Sequence, residues 1–309
     1  MNVLAFDTSN YTTSVAAFDG ERACNVSRLL DVASGALGLR QSDALFAHVK
    51  RLPELTDRLF SNLGAFPIDA IGVSTRPRAV EGSYMPCFLA GMSQAQVLGG
   101  ALGVPVHMFS HQQGHIAACA WSSGHPELLD EPHLAWHLSG GTTELLYVTP
   151  EGTSVHAEKI GGTTDISAGQ LIDRTGQLLS LDFPSGKALD ALSHAATRTD
   201  VFRVKVHDME FSLSGVQNKI EQYHTGDAAE TAGYALRCLT GAILAATENA
   251  LKRYPDCRVA FAGGVASNTM LRERCEGLPA VFCPPQYATD NALGVAVLTW
   301  REQNAASGL

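Results

Sequence analysis

A chain of 309 residues with 45% apolar and 17% charged side chains can bury the cores of two domains, which excludes a disordered tail, a collagen or a small disulfide scaffold. A formal charge of -9 excludes nucleic-acid binding through an overall basic field and leaves only a local basic strip, and no run of about 18 uncharged apolar residues offers a membrane-spanning helix. The seven cysteines are scattered without a CxxC pair and are expected as reduced thiols, and the opening MNVLAFD has no basic leader, so a cytoplasmic protein is expected.

In chain order, apolar runs at 3–6 and 15–18 flank the polar stretch Asp7-Thr8-Ser9-Asn10-Tyr11-Thr12-Thr13-Ser14, which predicts two strands joined by a turn. Leu45, Val49, Leu52, Leu55 and Leu59 recur at helical spacing within 43–62, where Pro53 predicts a kink or a break. Residues 70–74 read as a buried strand followed by the turn Thr75-Arg76-Pro77-Arg78. A Gly- and Ala-rich helix over 83–102, a strand over 104–109 and a helix over 111–121 come next. The second half repeats the opening scheme: a strand at 134–138, the turn Gly140-Gly141-Thr142-Thr143 and a returning strand at 145–148. Helices are predicted over 165–181, 186–197 and 228–253, a buried strand over 258–262, and a last helix starting at or after Asp290. Strands alternating with helices predict an α/β fold with a parallel component in each of two sheets.

Three small-residue turns are candidate ligand sites, because such turns present backbone N–H groups to anions. Asp7, Thr8 and Ser9 form the first; Asp7 there would orient a metal, a water or a phosphate, or these residues simply close a tight turn. Ser139-Gly140-Gly141-Thr142 is the second, with two glycines that admit a ligand to the backbone, or an ordinary β-turn. The third is Phe261-Ala262-Gly263-Gly264-Val265-Ala266-Ser267-Asn268, a buried strand running into a glycine turn, where open α/β sheets bind ligands; Asn268 also reads as a helix N-cap.

Histidines recur at spacing four as His107/His111, His111/His115 and His133/His137. His107, His133 and His137 fall in or beside strands, where four residues span roughly 13 Å, too far for one ion. His111 and His115 share a predicted helix, which brings them within about 5–6 Å. They are either two ordinary histidines or two ligands of a divalent ion. Gln112 stands where HExxH proteases carry glutamate, which argues against a metalloprotease. Asp290 would complete a His-His-Asp facial set with open positions, or serves as a plain N-cap.

Taken in order, these motifs resemble the TsaD family, proteins of tRNA threonylcarbamoyladenosine synthesis once classed as glycoproteases. The likeness spans essentially the whole chain. It rests on Asp7-Thr8-Ser9, His48 to Pro53, Ser110-His111-Gln112-Gln113-Gly114-His115 and Leu138-Ser139-Gly140-Gly141. It continues with Asp173, Pro184, Gly186 and Asp190, with Phe211-Ser212-Leu213-Ser214-Gly215, with 263–268 followed by Leu271-Arg272, and with Thr289-Asp290-Asn291-Ala292. The resemblance implies a duplicated actin-like (ASKHA, ribonuclease H-like) α/β fold with a nucleotide and metal cleft between two domains. The first would be 1–107, completed by a C-terminal helix at about 290–309; the second would be 108–289, with a nucleotide-binding insert. It implies transfer of a threonylcarbamoyl group from threonylcarbamoyl-AMP to the exocyclic amine of a tRNA adenosine, with AMP leaving. His111, His115 and Asp290 would hold one divalent metal ion, iron or zinc. Leu138, Ser139, Gly140, Gly141 and Thr142 would cradle the phosphate, Asp173, Gly186 and Asp190 the ribose, and Asn268 would support the nucleotide. Companion proteins that make and deliver the adenylate, and a dimer with a paralogue, are implied as partners.

The chain also departs from the family pattern. Thr142 replaces the histidine that usually ends the Ser-Gly-Gly hairpin, and Ile166, Ser167 and Gln170 stand in an Asp-Asp-Ala-x-Gly-Glu segment that loses two carboxylates. Arg76-Pro77-Arg78 replaces a Gly-Pro-Gly turn and would supply a basic strip for RNA. These departures leave two alternatives open: a non-catalytic nucleotide-binding scaffold, and carbamoyl or acyl transfer to a small molecule.

Overall fold

The computed structural model describes residues 1–9, 11–31 and 40–307; Asn10 of the expected opening turn lies outside them. The elements are β1 (Val3–Asp7), β2 (Thr12–Phe18), β3 (Ala23–Leu29), α1 (Gln41–Leu63), β4 (Ala70–Arg76), α2 (Phe88–Leu102), β5 (Val106–Ser110) and α3 (His111–Ser122). There follow β6 (His133–Leu138), β7 (Thr143–Glu151), β8 (Ser154–Thr163), α4 (Ala168–Leu178), α5 (Gly186–Ser193), β9 (Val206–His207), β10 (Glu210–Phe211), α6 (Ser214–Tyr223) and α7 (Ala228–Arg253). The chain ends with β11 (Val259–Ala262), α8 (Thr269–Arg274), β12 (Ala280–Phe282), α9 (Pro285–Ala288) and α10 (Leu293–Ser307). Two compact units result: Met1–Glu131 with Thr149–Ala157 and Asp290–Leu309, and Pro132–Val148 with Glu158–Thr289.

In unit 1 the sheet order is β3-β2-β1-β4-β5, with β1 antiparallel to β2 and parallel to β4. The alternation of side chains divides the helices between two faces. Leu4, Phe6, Val15, Ala17, Ile71 and Val73 pack with Leu52, Leu55 and Leu59 of α1 and Ala90 and Ala95 of α2. On the opposite face Phe18 meets Trp121 of α3 and Trp300 of α10 edge-on. Residues 108–131, expected to open a second domain, lie in unit 1, because α3 packs against α10. Pro53 does not break α1, which runs through it. Pro53 is exposed, so the carbonyl its missing N–H releases, that of Val49, can take water. His48 of the early motif is a core residue: its Nδ1 pairs with the Thr13 hydroxyl at 2.8 Å, tying α1 to β2. The helix predicted from 83 begins only at Phe88, after Pro86.

Unit 2 carries a seven-stranded sheet, β12-β11-β6-β7-β8-β10-β9. Its core run β8-β7-β6-β11-β12 repeats the order of unit 1, and β6, like β1, pairs antiparallel with the next strand and parallel with a later one. The α/β duplication expected from two strand-turn-strand units is therefore present. α7 covers the 26 residues predicted; its buried face packs with Trp136, whose indole N–H donates to Thr247 at 2.9 Å. The unpredicted β3, β8, β9, β10 and β12 are short or half-exposed strands whose apolar alternation is weak. None of the seven cysteines is in a disulfide, and no helix among the described residues is long and apolar enough to cross a membrane.

Candidate metal and nucleotide sites

β5 runs directly into α3, and the junction is a capping box. The Ser110 hydroxyl accepts from the Gln113 N–H, while Gln113 Oε1 accepts from the Ser110 N–H. This starts the helix at His111 and puts His111 and His115 on one face, their Nε2 atoms 3.0 Å apart. Asp290 Oδ1 lies 3.5 Å from His111 Nε2 and 3.3 Å from His115 Nε2. The N-cap reading of Asp290 fails. The Leu293 N–H donates to Asn291 Oδ1, and the Ala292 N–H to Ser14 and Asn25, so another residue caps α10 and the Asp290 carboxylate turns to the histidines.

These three donor atoms lie within 4.8 Å of one another. Bonds of about 2.0–2.2 Å to one ion set ligands roughly 3.0–3.5 Å apart, so the residues fit a divalent metal. Two imidazoles and a carboxylate suit zinc or iron. His111 Nδ1, on the far side of the ring, meets the carboxylate of Asp7 at 2.8 Å. Burial works against charge on His111, but Asp7 and Asp290 outweigh it and push its pKa up to about 10. Burial likewise opposes ionisation of Asp290, yet the two histidines hold it well below the usual carboxylate range. Of the other paired histidines, His107 contacts Gln303 and Glu302 of α10, and His133 is a buried residue of β6.

Asp7, Thr8 and Ser9 do not present a phosphate turn with their side chains. All three are buried; Asp7 faces His111, and the Thr8 hydroxyl donates to the Cys87 carbonyl and accepts from the Gly91 N–H. The Asp7–His111 pair joins positions 104 residues apart, and no local pattern in the sequence marks it. The Ser110-x-x-Gln113 capping box, by contrast, was readable as a motif.

In unit 2 the β6–β7 hairpin closes through Ser139, whose N–H donates to the Thr142 carbonyl and whose hydroxyl accepts from the Thr142 N–H. Its carbonyls are held by α4: Gly169 N–H reaches Ser139, and the Ser167 hydroxyl reaches Gly140. A Cβ at Gly140 or Gly141 would meet nothing within 4 Å, and neither residue has a left-handed backbone. Packing and conformation therefore do not demand glycine there, and open space fronts both residues. Asp173 accepts from the Ser185 N–H just ahead of Gly186, and burial raises its pKa. Asp190 and Asn268 come together, but on each other: Asn268 Nδ2 donates to Asp190 at 2.6 Å, while Asn268 Oδ1 caps α8 through the Leu271 N–H.

Two of the departures from the family pattern, Ser167 and Gln170, have a local structural role: they form the capping box of α4. Arg76 and Arg78 are exposed at the turn whose Pro77 carbonyl accepts from the Gln112 N–H, beside His111. Asp165, the carboxylate retained in the altered segment, accepts from the hydroxyls of Ser212 and Ser214 and the N–H groups of Leu213 and Ser214. Partial burial pushes its pKa up, but these donors outweigh it and lower it. A depressed carboxylate stabilises the fold above the unfolded pKa near about 4 and ceases to do so as pH falls through its folded value. Asp165→Asn is therefore expected to lower stability by about 1–2 kcal/mol near neutrality and to narrow the difference from wild type at acid pH. Urea unfolding at several pH values checks this; a difference that does not shrink on acidification contradicts it.

Two duplicated α/β units with this topology define an actin-like (ASKHA) fold. The structure of a 2-hydroxyisocaproyl-CoA dehydratase activator from Clostridium difficile matches with a TM-score of 0.56 at 12% identity, covering 100% of this chain and 97% of that one. A ROK hexokinase from Thermus thermophilus matches with a TM-score of 0.54 at 16% identity, covering 99% and 100%. Residues 38–297 match the model of the TsaD family, tRNA N6-adenosine threonylcarbamoyltransferase. The tRNA N6-adenosine threonylcarbamoyltransferase of Carboxydothermus hydrogenoformans is 30% identical over 310 residues, covering 95% of this chain and 90% of the relative. The chain belongs to the TsaD family and is a transferase.

Proposed function

We propose that this protein transfers the threonylcarbamoyl group of threonylcarbamoyl-AMP to the exocyclic amine of a tRNA adenosine, with one iron or zinc ion held by His111, His115 and Asp290. The observation that carries this reading is the convergence of those three side chains in a chain of this family. Lewis acidity toward the acyl oxygen is the chemistry such an ion supplies when bound. The chain's own groups do the rest. The Gly140 and Gly141 N–H groups, which donate to no described residue, are available to the phosphate of the departing AMP. In that reading the carboxylates of Asp173 and Asp190, which flank Gly186 in sequence and already accept from Ser185 and from Asn268 and Thr269, would also accept from ribose hydroxyls, with Leu138, Ser139 and Thr142 shaping the hairpin and Asn268 bracing Asp190. The amine attacks the acyl carbon, its C–N bond forms as the bond to the AMP phosphate oxygen breaks, the amine proton passes to solvent, and no covalent enzyme intermediate is needed.

The reading includes companion proteins that supply the labile adenylate, a dimer with a paralogue, and work in the cytoplasm on tRNA held by few basic contacts, Arg76 and Arg78 among them. The transferase membership favours catalysis over a scaffold role. The test is reconstitution. The isolated chain is expected to be nearly inactive on tRNA with threonine, bicarbonate and ATP, and the adenylate-forming enzyme with the partner proteins should restore transfer. If the complete system modifies no tRNA while metal and nucleotide bind, the scaffold role or acyl transfer to a small molecule replaces this reading. Gly141→Val, which fills the open space before the hairpin, is expected to weaken AMP binding at least tenfold by calorimetry while Gly141 remains dispensable for folding.

A further inference from the structure

The far side of the His111 ring carries the observation that the transfer chemistry does not use. Asp7 ends β1, the central strand of the unit 1 sheet, and is 0% exposed. Its Oδ2 sits 2.8 Å from His111 Nδ1, and its Oδ1 accepts from the Ser9 N–H at 3.0 Å. The strand end is fixed in turn, since Thr8 is bonded to Cys87 and Gly91 of the α2 region. An ionised carboxylate can only accept, so Nδ1 must carry the proton it donates. When a metal displaces the second ring proton, the lone pair is therefore at Nε2, the atom 3.0 Å from His115 Nε2 and 3.5 Å from Asp290.

We infer that Asp7 is the positioning residue of the metal site: it fixes the tautomer and the ring orientation of His111 so that Nε2 faces the ion. This rests on the metal reading above. A buried carboxylate behind a ligating imidazole also raises the ligand's basicity, and loss of such a partner commonly weakens metal affinity 10–100-fold. Asp7→Asn keeps the shape but not the rule: its amide can turn Nδ2 toward the ring and select the wrong tautomer, and even its oxygen lacks the charge.

The test uses the full chain stripped of metal and titrated with Zn²⁺ against a chromophoric chelator. Asp7→Asn is expected to bind Zn²⁺ about 10–100-fold more weakly than the unsubstituted protein. A second measurement needs no variant and so survives any folding defect: long-range ¹H–¹⁵N correlation of the histidines in the zinc-loaded protein should place the proton of His111 on Nδ1 and zinc on Nε2. Zinc on Nδ1 of His111, or equal affinity in Asp7→Asn, overturns the positioning role. Failure of the unsubstituted protein to take up Zn²⁺ overturns the metal reading itself, and this role with it; uptake with unchanged affinity in Asp7→Asn overturns the positioning role alone.

Discussion

His111→Ala combined with Asp290→Ala is expected to take the metal content of the untagged protein from about one equivalent of iron or zinc per chain to none. The two substitutions remove two of the three donor atoms that lie within 4.8 Å of one another, and His115 alone is left as a single imidazole. Neither residue caps a helix, since Ser110 and Asn291 do that work on either side, so α3 and α10 should persist and circular dichroism should be unchanged. The double variant leaves the buried Asp7 carboxylate without its His111 partner, so its stability should fall even though the helices persist. Transfer in the reconstituted system should fall by a factor on the order of 10²–10³, the usual cost of losing an electrostatic stabiliser of the reacting carbonyl. Unchanged metal content in the double variant, by elemental analysis, would remove His111 and Asp290 from the site.

Gly294→Ala is the substitution expected to damage the fold most for its size. A Cβ at Gly294 would lie 1.7 Å from the Gly114 carbonyl oxygen and 2.7 Å from the Ala118 nitrogen. Both are backbone atoms of α3, so no side chain can swing away, and the two helices must part. Overpacking a tight core costs about 1–3 kcal/mol, and a backbone clash belongs at or above the top of that range. At roughly 2–4 °C per kcal/mol for a chain of this size, melting should fall by about 6–12 °C or more. Gly141→Ala is the control: a methyl there meets nothing within 4 Å, and its melting temperature should stay within about 2 °C of wild type. Because α3 carries both histidines and Asp290 lies just ahead of α10, Gly294→Ala should also weaken metal binding. A Gly294→Ala protein as stable as wild type would mean that the helices do not approach this closely.

Much of this molecule is legible without coordinates. The strand-turn-strand units near residues 7 and 140, the buried strand before Gly263 and the long helix over 228–253 follow from apolar period and small-residue turns, which are local properties. The His111/His115 pair is legible for the same reason, because a Ser110-x-x-Gln113 cap and spacing of four specify a shared helix face. Two roles for Asp290 were open in sequence terms, and packing removes the N-cap one: Asn291 caps α10, and the Asp290 carboxylate faces the histidines. Tertiary structure also decided that Asp7 pairs with His111 across 104 positions, that Asp190 and Asn268 bond each other, and that 108–131 packs with the first unit. These are contacts of high sequence separation, and nothing in a local pattern encodes which distant partner a buried carboxylate or amide will find. The same limit explains Gly294: as a residue in an apolar helix it reads as a weak helix former, and only the carbonyl of Gly114 1.7 Å from its missing methyl makes it necessary.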